Sequence, residues 1–464
     1  MNYDYDFLII GGGSAGYAAA RTAAGQGLRT CVVDGAAELG GLCILRGCMP
    51  SKTLLASSTR FASMRRAEEF GLRASGLRVE GAEIIARKRR LIGGFAEYRA
   101  EQLQDGRFDL IRGFARFTGP HTVAVRLHDG TERSINALSF LIATGSKVSG
   151  VPIPELNEAG FWTTDDVLDS EEIPQSVIIL GGGATAVEFA TYYAGLGREV
   201  TIIQRSPQLL KGTDLDVAEA LAEGLRHHGI RVFTGTKLLT AGRSASGRSV
   251  TFSDANGEHT ITAERIVHTL GREPNLDGLD LAAAGITKPG RPHVLPTQQT
   301  SQPHIFAAGD VAGPYEIVHI AIQHGEIAAR NAARILGGAG TLEETDYRLR
   351  LYGIFSEPEV AVVGASEREL QDAGIAFRSA KYPFNDHGKS LCMGETDGFV
   401  KLIASTETGE ILGGAVVGPH ASELIHEIVV AMHFRSTAAQ LAAVPHYHPT
   451  LSEIWTYPAE ELAE

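Results

Sequence analysis

The sequence predicts an α/β chain in which two βαβ units follow one another and a C-terminal α+β region closes the molecule. Three observations predict it. A glycine-rich turn between an apolar strand and an alanine-rich helix begins at Gly11, and the same design returns at Gly181. After about residue 345 the pattern changes to short runs suited to antiparallel strands, around Glu359 to Val363, Phe399 to Ala404 and Ile411 to Val417, followed by a helical stretch from about Ser422.

The first unit opens with Phe7-Leu8-Ile9-Ile10, turns through Gly11-Gly12-Gly13-Ser14-Ala15-Gly16, and ends in the strand Thr30-Cys31-Val32-Val33-Asp34. Gly11 permits the tight turn, Gly13 lets the backbone approach a pyrophosphate at the helix N-terminus, and Gly16 allows close helix–strand packing. Asp34 falls where an acid can bind ribose hydroxyls. A glycine pattern alone is weak evidence, but the strand before it, the helix after it and the acid at the right distance make it a Rossmann-like dinucleotide fingerprint.

Just downstream runs Gly-Leu-Cys-Ile-Leu-Arg-Gly-Cys-Met-Pro-Ser-Lys, which contains Cys43 and Cys48. Such a pair suits a redox couple, zinc ligation or two unrelated core thiols. A four-ligand zinc site needs a second pair nearby, and the other two cysteines, Cys31 and Cys392, are far apart. A redox couple needs one sulfur open to substrate and one against an electron acceptor, an arrangement that a turn loosened by Gly47 can present.

Val151-Pro152-Ile153-Pro154 reads as a linker into the second unit. That unit runs from Val177-Ile178-Ile179-Leu180 through Gly181-Gly182-Gly183-Ala184-Thr185-Ala186 to Val200-Thr201-Ile202-Ile203-Gln204, with Ala186 at the third glycine position. Gln204 stands where Asp34 stands in the first unit. An acid there would repel a ribose 2′-phosphate, whereas Gln204 followed by Arg205 and Ser206, with Lys211 nearby, offers donors and positive charge. NADP is therefore expected over NAD, unless Arg205 and Lys211 are ordinary surface cations. Residues 288–303 are rich in Pro and Gly and read as irregular connection.

At 464 residues the chain exceeds one ordinary core, and about three domains are expected. No apolar run approaches the roughly 18 residues that span a bilayer, so no membrane association is expected. The N-terminus enters its first strand without a basic leader, which makes the cytoplasm the default expectation. A formal net charge of −13 argues against nucleic acid as the main partner. The run Arg87-Lys88-Arg89-Arg90 reads as a solvated helix face.

Together these residues resemble the pyridine nucleotide-disulfide oxidoreductases, the flavoprotein family that includes dihydrolipoyl dehydrogenase, glutathione reductase and mercuric reductase. The resemblance covers almost the whole chain. It extends to Ala143-Thr144-Gly145-Ser146, Gly271-Arg272-Glu273-Pro274-Asn275, Ile305-Phe306-Ala307-Ala308-Gly309-Asp310 and His446-Tyr447-His448-Pro449-Thr450-Leu451-Ser452-Glu453. It implies an FAD-binding domain over 1–150, an NAD(P)-binding domain over 151–273, a return to the central flavin region over 274–345 and a dimerisation domain over 346–464.

The resemblance also implies roles. Cys43 would be the interchange thiol and Cys48 the thiol against the flavin, with Lys52 near the flavin and Glu188 as its partner. His448 would be the general acid/base, oriented by Glu453 and contributed by the other subunit of a homodimer. His446 is expected to shape the turn. Thr144, Gly145, Gly309 and Asp310 would join Gly11, Gly13, Gly16 and Asp34 around FAD. Gly181, Gly183, Arg205, Ser206 and Lys211 would serve the nicotinamide nucleotide, and Gly271 and Arg272 would also bind a cofactor. No metal ligand is expected, and His319 and His324 receive no role. Arg46 and Trp455 either are ordinary or line the substrate cleft.

Three departures refine the expectation. Ala184 stands where glutathione reductase carries a tyrosine gate. Gln204 replaces the acid usual in dihydrolipoyl dehydrogenases. The C-terminus lacks the extra cysteine pair of mercuric reductases. An NADPH-dependent reductase of a small thiol disulfide is expected first. The alternatives are an NAD-linked dihydrolipoyl dehydrogenase, a metal-ion or quinone reductase, and a catalytically idle flavoprotein that binds a partner.

Overall fold

Strands buried on both faces read as unbroken apolar runs, and Phe7, Leu8, Ile9 and Ile10 are each at most 4% exposed. In the computed structural model, which describes residues 2–245, 247–338 and 340–464, they lie in the strand Tyr5–Ile10. The chain divides into two units, each built from three segments: residues 1–50, 86–149 and 272–346 form the first, and 51–85, 150–271 and 347–464 the second. Residues 51–85 thus fall with the second unit, although the expected first domain ran from 1 to 150.

Six strands form the main sheet of the first unit. Tyr5–Ile10 lies between Thr30–Asp34 and Glu132–Ile142, with Asp109–Gly119 beyond the former and Ile305–Ala307 beyond the latter, all parallel. Thr122–Leu127 joins Asp109–Gly119 and Glu132–Ile142 as an antiparallel meander. The helices Ser14–Gly25 and Val318–Leu336 share one core through small side chains, including Ala15, Ala19, Ala321 and Ala328.

In the second unit, Ser176–Leu180 pairs in parallel with Arg265–His268 on one side and Glu199–Ile203 on the other, and Arg231–Phe233 follows. A three-stranded antiparallel sheet, Lys237–Ser244, Gly247–Asp254 and Gly257–Ala263, accompanies it. The C-terminal region carries a five-stranded antiparallel sheet in the order Leu351–Ile354, Glu359–Gly364, Ile411–Gly418, Phe399–Ser405, Phe377–Pro383. Three of these strands begin at the residues expected from the sequence, and the helix Ala421–His433 begins one residue before Ser422. Residues 288–303 contain no helix or strand.

One surface expectation needs correction. The run Arg87 to Arg90 lies on the helix Gly81–Leu103, but Lys88 is only 3% exposed. The helical repeat puts Lys88 on the stripe of Ile85 and Ile92, three residues before and four after it. No helix of the described residues is long and apolar enough to cross a membrane.

Candidate active site

The two glycine-rich turns use one geometry. Gly11 has φ +104°, and a Cβ there would lie 2.4 Å from the Ala143 carbonyl oxygen; Gly181 has φ +122°, and a Cβ would lie 2.5 Å from that of Thr269. The helices Ser14–Gly25 and Ala184–Gly195 begin after Gly13 and Gly183 with no side-chain cap and no acid in the first turn. Their first N–H groups are left for an anion. A Cβ at Gly183 would meet nothing within 4 Å, and one at Gly13 only the Gly41 Cα at 3.7 Å. Both cradles fit the pyrophosphate of a dinucleotide.

The two equivalent positions then diverge. Asp34 accepts the Gly12 N–H and the Ala36 N–H, each at 2.8 Å, so its carboxylate closes the turn and keeps a lone pair on each oxygen. Gln204 donates its amide to the Gln208 carbonyl at 3.3 Å, within a loop that exposes Arg205 and Lys211 and half-buries Ser206. Among the described residues neither of these two cations has an ion pair.

The later glycine motifs meet in the first unit. Arg272 Nε donates to Ser146 Oγ at 2.8 Å, and Ser146 Oγ donates to Asp310 Oδ2 at 2.7 Å, so a relay fixes the Asp310 carboxylate. Thr144 Oγ1 donates to the Asn275 carbonyl at 2.6 Å, and the Asn275 N–H donates to the Gly145 carbonyl at 2.9 Å. Gly309 donates its N–H to His324 Nδ1 at 3.4 Å. Burial lowers that imidazole to about 4, which keeps it a neutral acceptor. Sequence reasoning gave His324 no role, and no motif marks it. Gly271 has φ +119° and leads into Arg272.

Cys43 lies in the short helix Gly41–Leu45, and Cys48 opens the helix Cys48–Arg65. Both are half-buried. Gly47 brings the chain back on itself: a Cβ there would sit 3.0 Å from the Leu42 carbonyl oxygen and 3.3 Å from the Cys43 Cα. Arg46, between the two cysteines, is half-buried. The remaining thiols differ. Cys31 is fully buried in the central sheet, where burial pushes it up to about 12, and Cys392 is exposed.

A cation that the motif search missed acts on Cys43. Arg99, on the helix Gly81–Leu103, lies over the Tyr17 ring at 4.2 Å and donates from Nε to Gln102 at 3.0 Å, while its buried Nη1 has no hydrogen-bond partner among the described residues. Burial lowers its pKa, against the opposing influence of Tyr17 and Cys43. A positive charge within reach of a thiol favours the thiolate.

Lys52 follows Cys48 by four residues, so one helix presents both on one face. Its ammonium is 2.7 and 2.9 Å from the two carboxylate oxygens of Glu188, on the helix Ala184–Gly195, and 4.6 Å from the centre of the Phe355 ring. The Phe355 N–H adds a second donor to Glu188 at 3.2 Å. A carboxylate only 6% exposed is tolerated because each oxygen is engaged.

His448 Nδ1 lies 2.9 Å from Glu453 Oε2. The histidine side chain is 79% exposed, so its other ring nitrogen is open to a reacting group. His446 is held by Glu427 at 2.6 Å and by the Val444 carbonyl at 2.9 Å. Of the two readings of Trp455, the structure supports the ordinary one. It is fully buried, and its indole N–H donates to the Leu424 carbonyl at 3.1 Å. Cys43 and Cys48 belong to the first unit, and Lys52, Glu188, His448 and Glu453 to the second.

Known proteins resemble this chain along nearly its whole length. The family model described as pyridine nucleotide-disulphide oxidoreductase matches residues 5–325, and the model of its dimerisation domain matches residues 352–459. The chain is 34% identical to the dihydrolipoyl dehydrogenase of Bacillus subtilis, with 98% of this chain and 97% of that one covered. It is 36% identical to that of Thermus scotoductus, with coverage of 99% and 97%. Among solved structures it is similar to LpdA from Mycobacterium tuberculosis, with a TM-score of 0.86, 29% identity and coverage of 98% and 99%. It is also similar to the HOCl-induced flavoprotein disulfide reductase RclA from Escherichia coli, solved as a Cu(II) complex, with a TM-score of 0.85, 25% identity and coverage of 99% and 100%.

Proposed function

Because the chain belongs to the pyridine nucleotide-disulphide oxidoreductases and carries their dimerisation domain, we propose that it is an NADPH-dependent reductase of a small thiol disulfide. FAD and the nicotinamide supply the hydride chemistry when bound. Gly11, Gly13, Gly16, Asp34, Thr144, Gly145, Gly309 and Asp310 would hold the flavin. Gly181, Gly183, Arg205, Ser206 and Lys211 would hold the nicotinamide nucleotide, while Arg272, which follows Gly271, would steady Asp310 through Ser146 on the flavin side.

The protein's own residues perform the exchange. The Cys43 thiolate attacks one sulfur of the substrate, forming a mixed disulfide as the substrate S–S bond breaks. The departing thiolate takes a proton from His448, whose tautomer Glu453 fixes. The Cys48 thiolate then attacks the Cys43 sulfur, releases the second substrate thiolate and closes the Cys43–Cys48 disulfide. In the homodimer that the C-terminal domain implies, the His448–Glu453 pair of one protomer serves the cysteine pair of the other.

The observation that carries the reading is the helix that bears Cys48 and Lys52 one turn apart, with Lys52 held 2.7 Å from Glu188. With the flavin bound, the Cys48 thiol would exchange electrons with it and the Lys52 ammonium would stabilise negative charge on its reduced form. Gln204 and exposed Arg205 support NADPH over NADH. A second reading, an NAD-linked dihydrolipoyl dehydrogenase, is favoured by identities of 34 and 36% to enzymes of that name over nearly the whole chain.

Anaerobic titration of the purified flavoprotein with NADPH and with NADH separates the two. Fast appearance of the long-wavelength thiolate-to-flavin band with NADPH and slow appearance with NADH supports the first reading. Preference for NADH, with reduction by dihydrolipoamide, supports the second. No such band with either overturns the assignment of the cysteine pair.

A further inference from the structure

We propose that His387 is a positioning residue of the acid/base pair, a neutral imidazole that donates to Glu453 from the protein interior so that the carboxylate turns its other oxygen to His448. The inference rests on the roles given above to His448 and Glu453 and names the group that orients them.

His387 is 0% exposed and precedes the helix Gly388–Met393, after the turn that ends the strand Phe377–Pro383. No substrate can touch it. Its Nδ1 lies 2.9 Å from Oγ of Ser390, which is also 0% exposed. When the serine hydroxyl donates to Nδ1, the ring proton belongs on Nε2. Nε2 has no hydrogen-bond partner among the described residues, and Glu453 Oε1 lies 3.5 Å from it.

That atom is informative because an imidazole N–H buried without a partner is costly. The 3.5 Å approach is longer than an ideal hydrogen bond, and Glu453 is the acceptor within reach. The Thr450 N–H donates to the same oxygen at 3.4 Å, so Oε1 faces the Thr450 N–H and the His387 ring, and Oε2 is left to His448 Nδ1 at 2.9 Å. With Nδ1 of His448 donating to Glu453, its Nε2 carries the lone pair that accepts a proton from the thiol.

The titratable groups that act on His387 are Glu453, which pulls its pKa up, and His448, which pushes it down; burial outweighs both and holds the imidazole below its ordinary value. A cation at this place would compete with His448 for the carboxylate. A neutral donor orients the carboxylate without competing.

The test compares half-reactions of the FAD-loaded enzyme by rapid mixing. His387→Phe keeps a ring and removes the donor, and His387→Gln restores an N–H. The probe is oxidised lipoamide or glutathione disulfide, whichever reoxidises the wild type faster. His387→Phe is expected to slow reoxidation about 10-fold or more and to move its half-maximal pH by about half a unit, while flavin reduction changes less than about twofold. His387→Gln is expected to recover most of the rate. Wild-type reoxidation and pH profile in His387→Phe would overturn the proposal, as would equal loss in Phe and Gln variants accompanied by equal loss of thermal stability. If the Phe variant does not fold, Ser390→Ala serves, with a smaller slowing of the same half-reaction expected and no slowing overturning the proposal. His448→Gln marks the underlying reading. If it reoxidises normally, the His448–Glu453 assignment fails. If it is slow and His387→Phe is not, only the role of His387 fails.

Discussion

The ammonium of Lys401, with its side chain 1% exposed, lies 2.8 Å from a carboxylate oxygen of Asp214, three residues after Lys211. Asp216 at 3.0 Å and Glu367 at 3.3 Å complete a ring of three carboxylates around it. Burial works against that charge, but Asp214 and Asp216 hold the Lys401 pKa above its ordinary value. The loop after Gln204 is thereby pinned to the strand Phe399–Ser405.

Lys401→Met leaves Asp214 and Glu367 facing one another without their cation, while Asp216 keeps Lys381 at 3.1 Å. The expected loss is about 3 kcal/mol, the low end of the range for breaking a buried pair because Asp216 and Glu367 are partly solvated. Urea unfolding of the FAD-loaded protein measures it. A change below about 0.5 kcal/mol, the size of an ordinary surface substitution, would show that the cluster is not structural.

Arg205→Glu tests the nucleotide reading. A negative charge beside the expected 2′-phosphate should raise the KM for NADPH by about 10-fold or more and leave that for NADH within about twofold. Equal effects on both would remove Arg205 from the specificity site.

Arg99→Met removes a positive charge that acts on Cys43. In a Cys48→Ser background, the rate of iodoacetamide alkylation of Cys43 should rise at higher pH than in the parent, by about half a unit or more. Superimposable pH profiles would show that Arg99 has no hold on the thiol.

Glu369 supplies a pH prediction. Bidentate Arg350, at 2.6 and 2.7 Å, lowers it to about 2 against the effect of burial and with help from the Ser366 N–H. A carboxyl whose folded pKa is depressed stabilises the fold fully above its unfolded value and loses that contribution as pH falls toward the folded one. The stability gap between wild type and Glu369→Gln should therefore be constant above about pH 5, shrink between about 4.5 and 2, and not widen in acid. Thermal melts across that range check it.

The nucleotide turns were legible because their glycines encode backbone geometry directly: Gly11 and Gly181 take conformations that a side chain resists, at fixed offsets from a strand and a helix. The cysteine pair, Lys52 and the His448 segment were legible as ordered motifs, and the Lys52–Glu188 and His448–Glu453 partnerships are both present. His387, Arg99, His324 and Lys401 were not. Each acts on a residue distant in sequence, and no local pattern announces it. Lys401 is the sharpest case. In Val-Lys-Leu an alternating strand turns the lysine to the face opposite its apolar neighbours, which reads as solvent, yet Val400, Lys401 and Leu402 are all 0% exposed because this sheet is covered on both faces. Lys88 misled for the related reason that a run of like charges hides a helical stripe.

The segment order of the two units has a consequence for biosynthesis. During translation, residues 1–149 emerge without the strand Ile305–Ala307 that borders their sheet, or the helix Val318–Leu336 that shares their core. The first unit must wait, with an edge strand and an apolar face unsatisfied, while residues 150–271 are made. The second unit waits in turn for residues 347–464. A nascent chain released early therefore carries two unfinished cores.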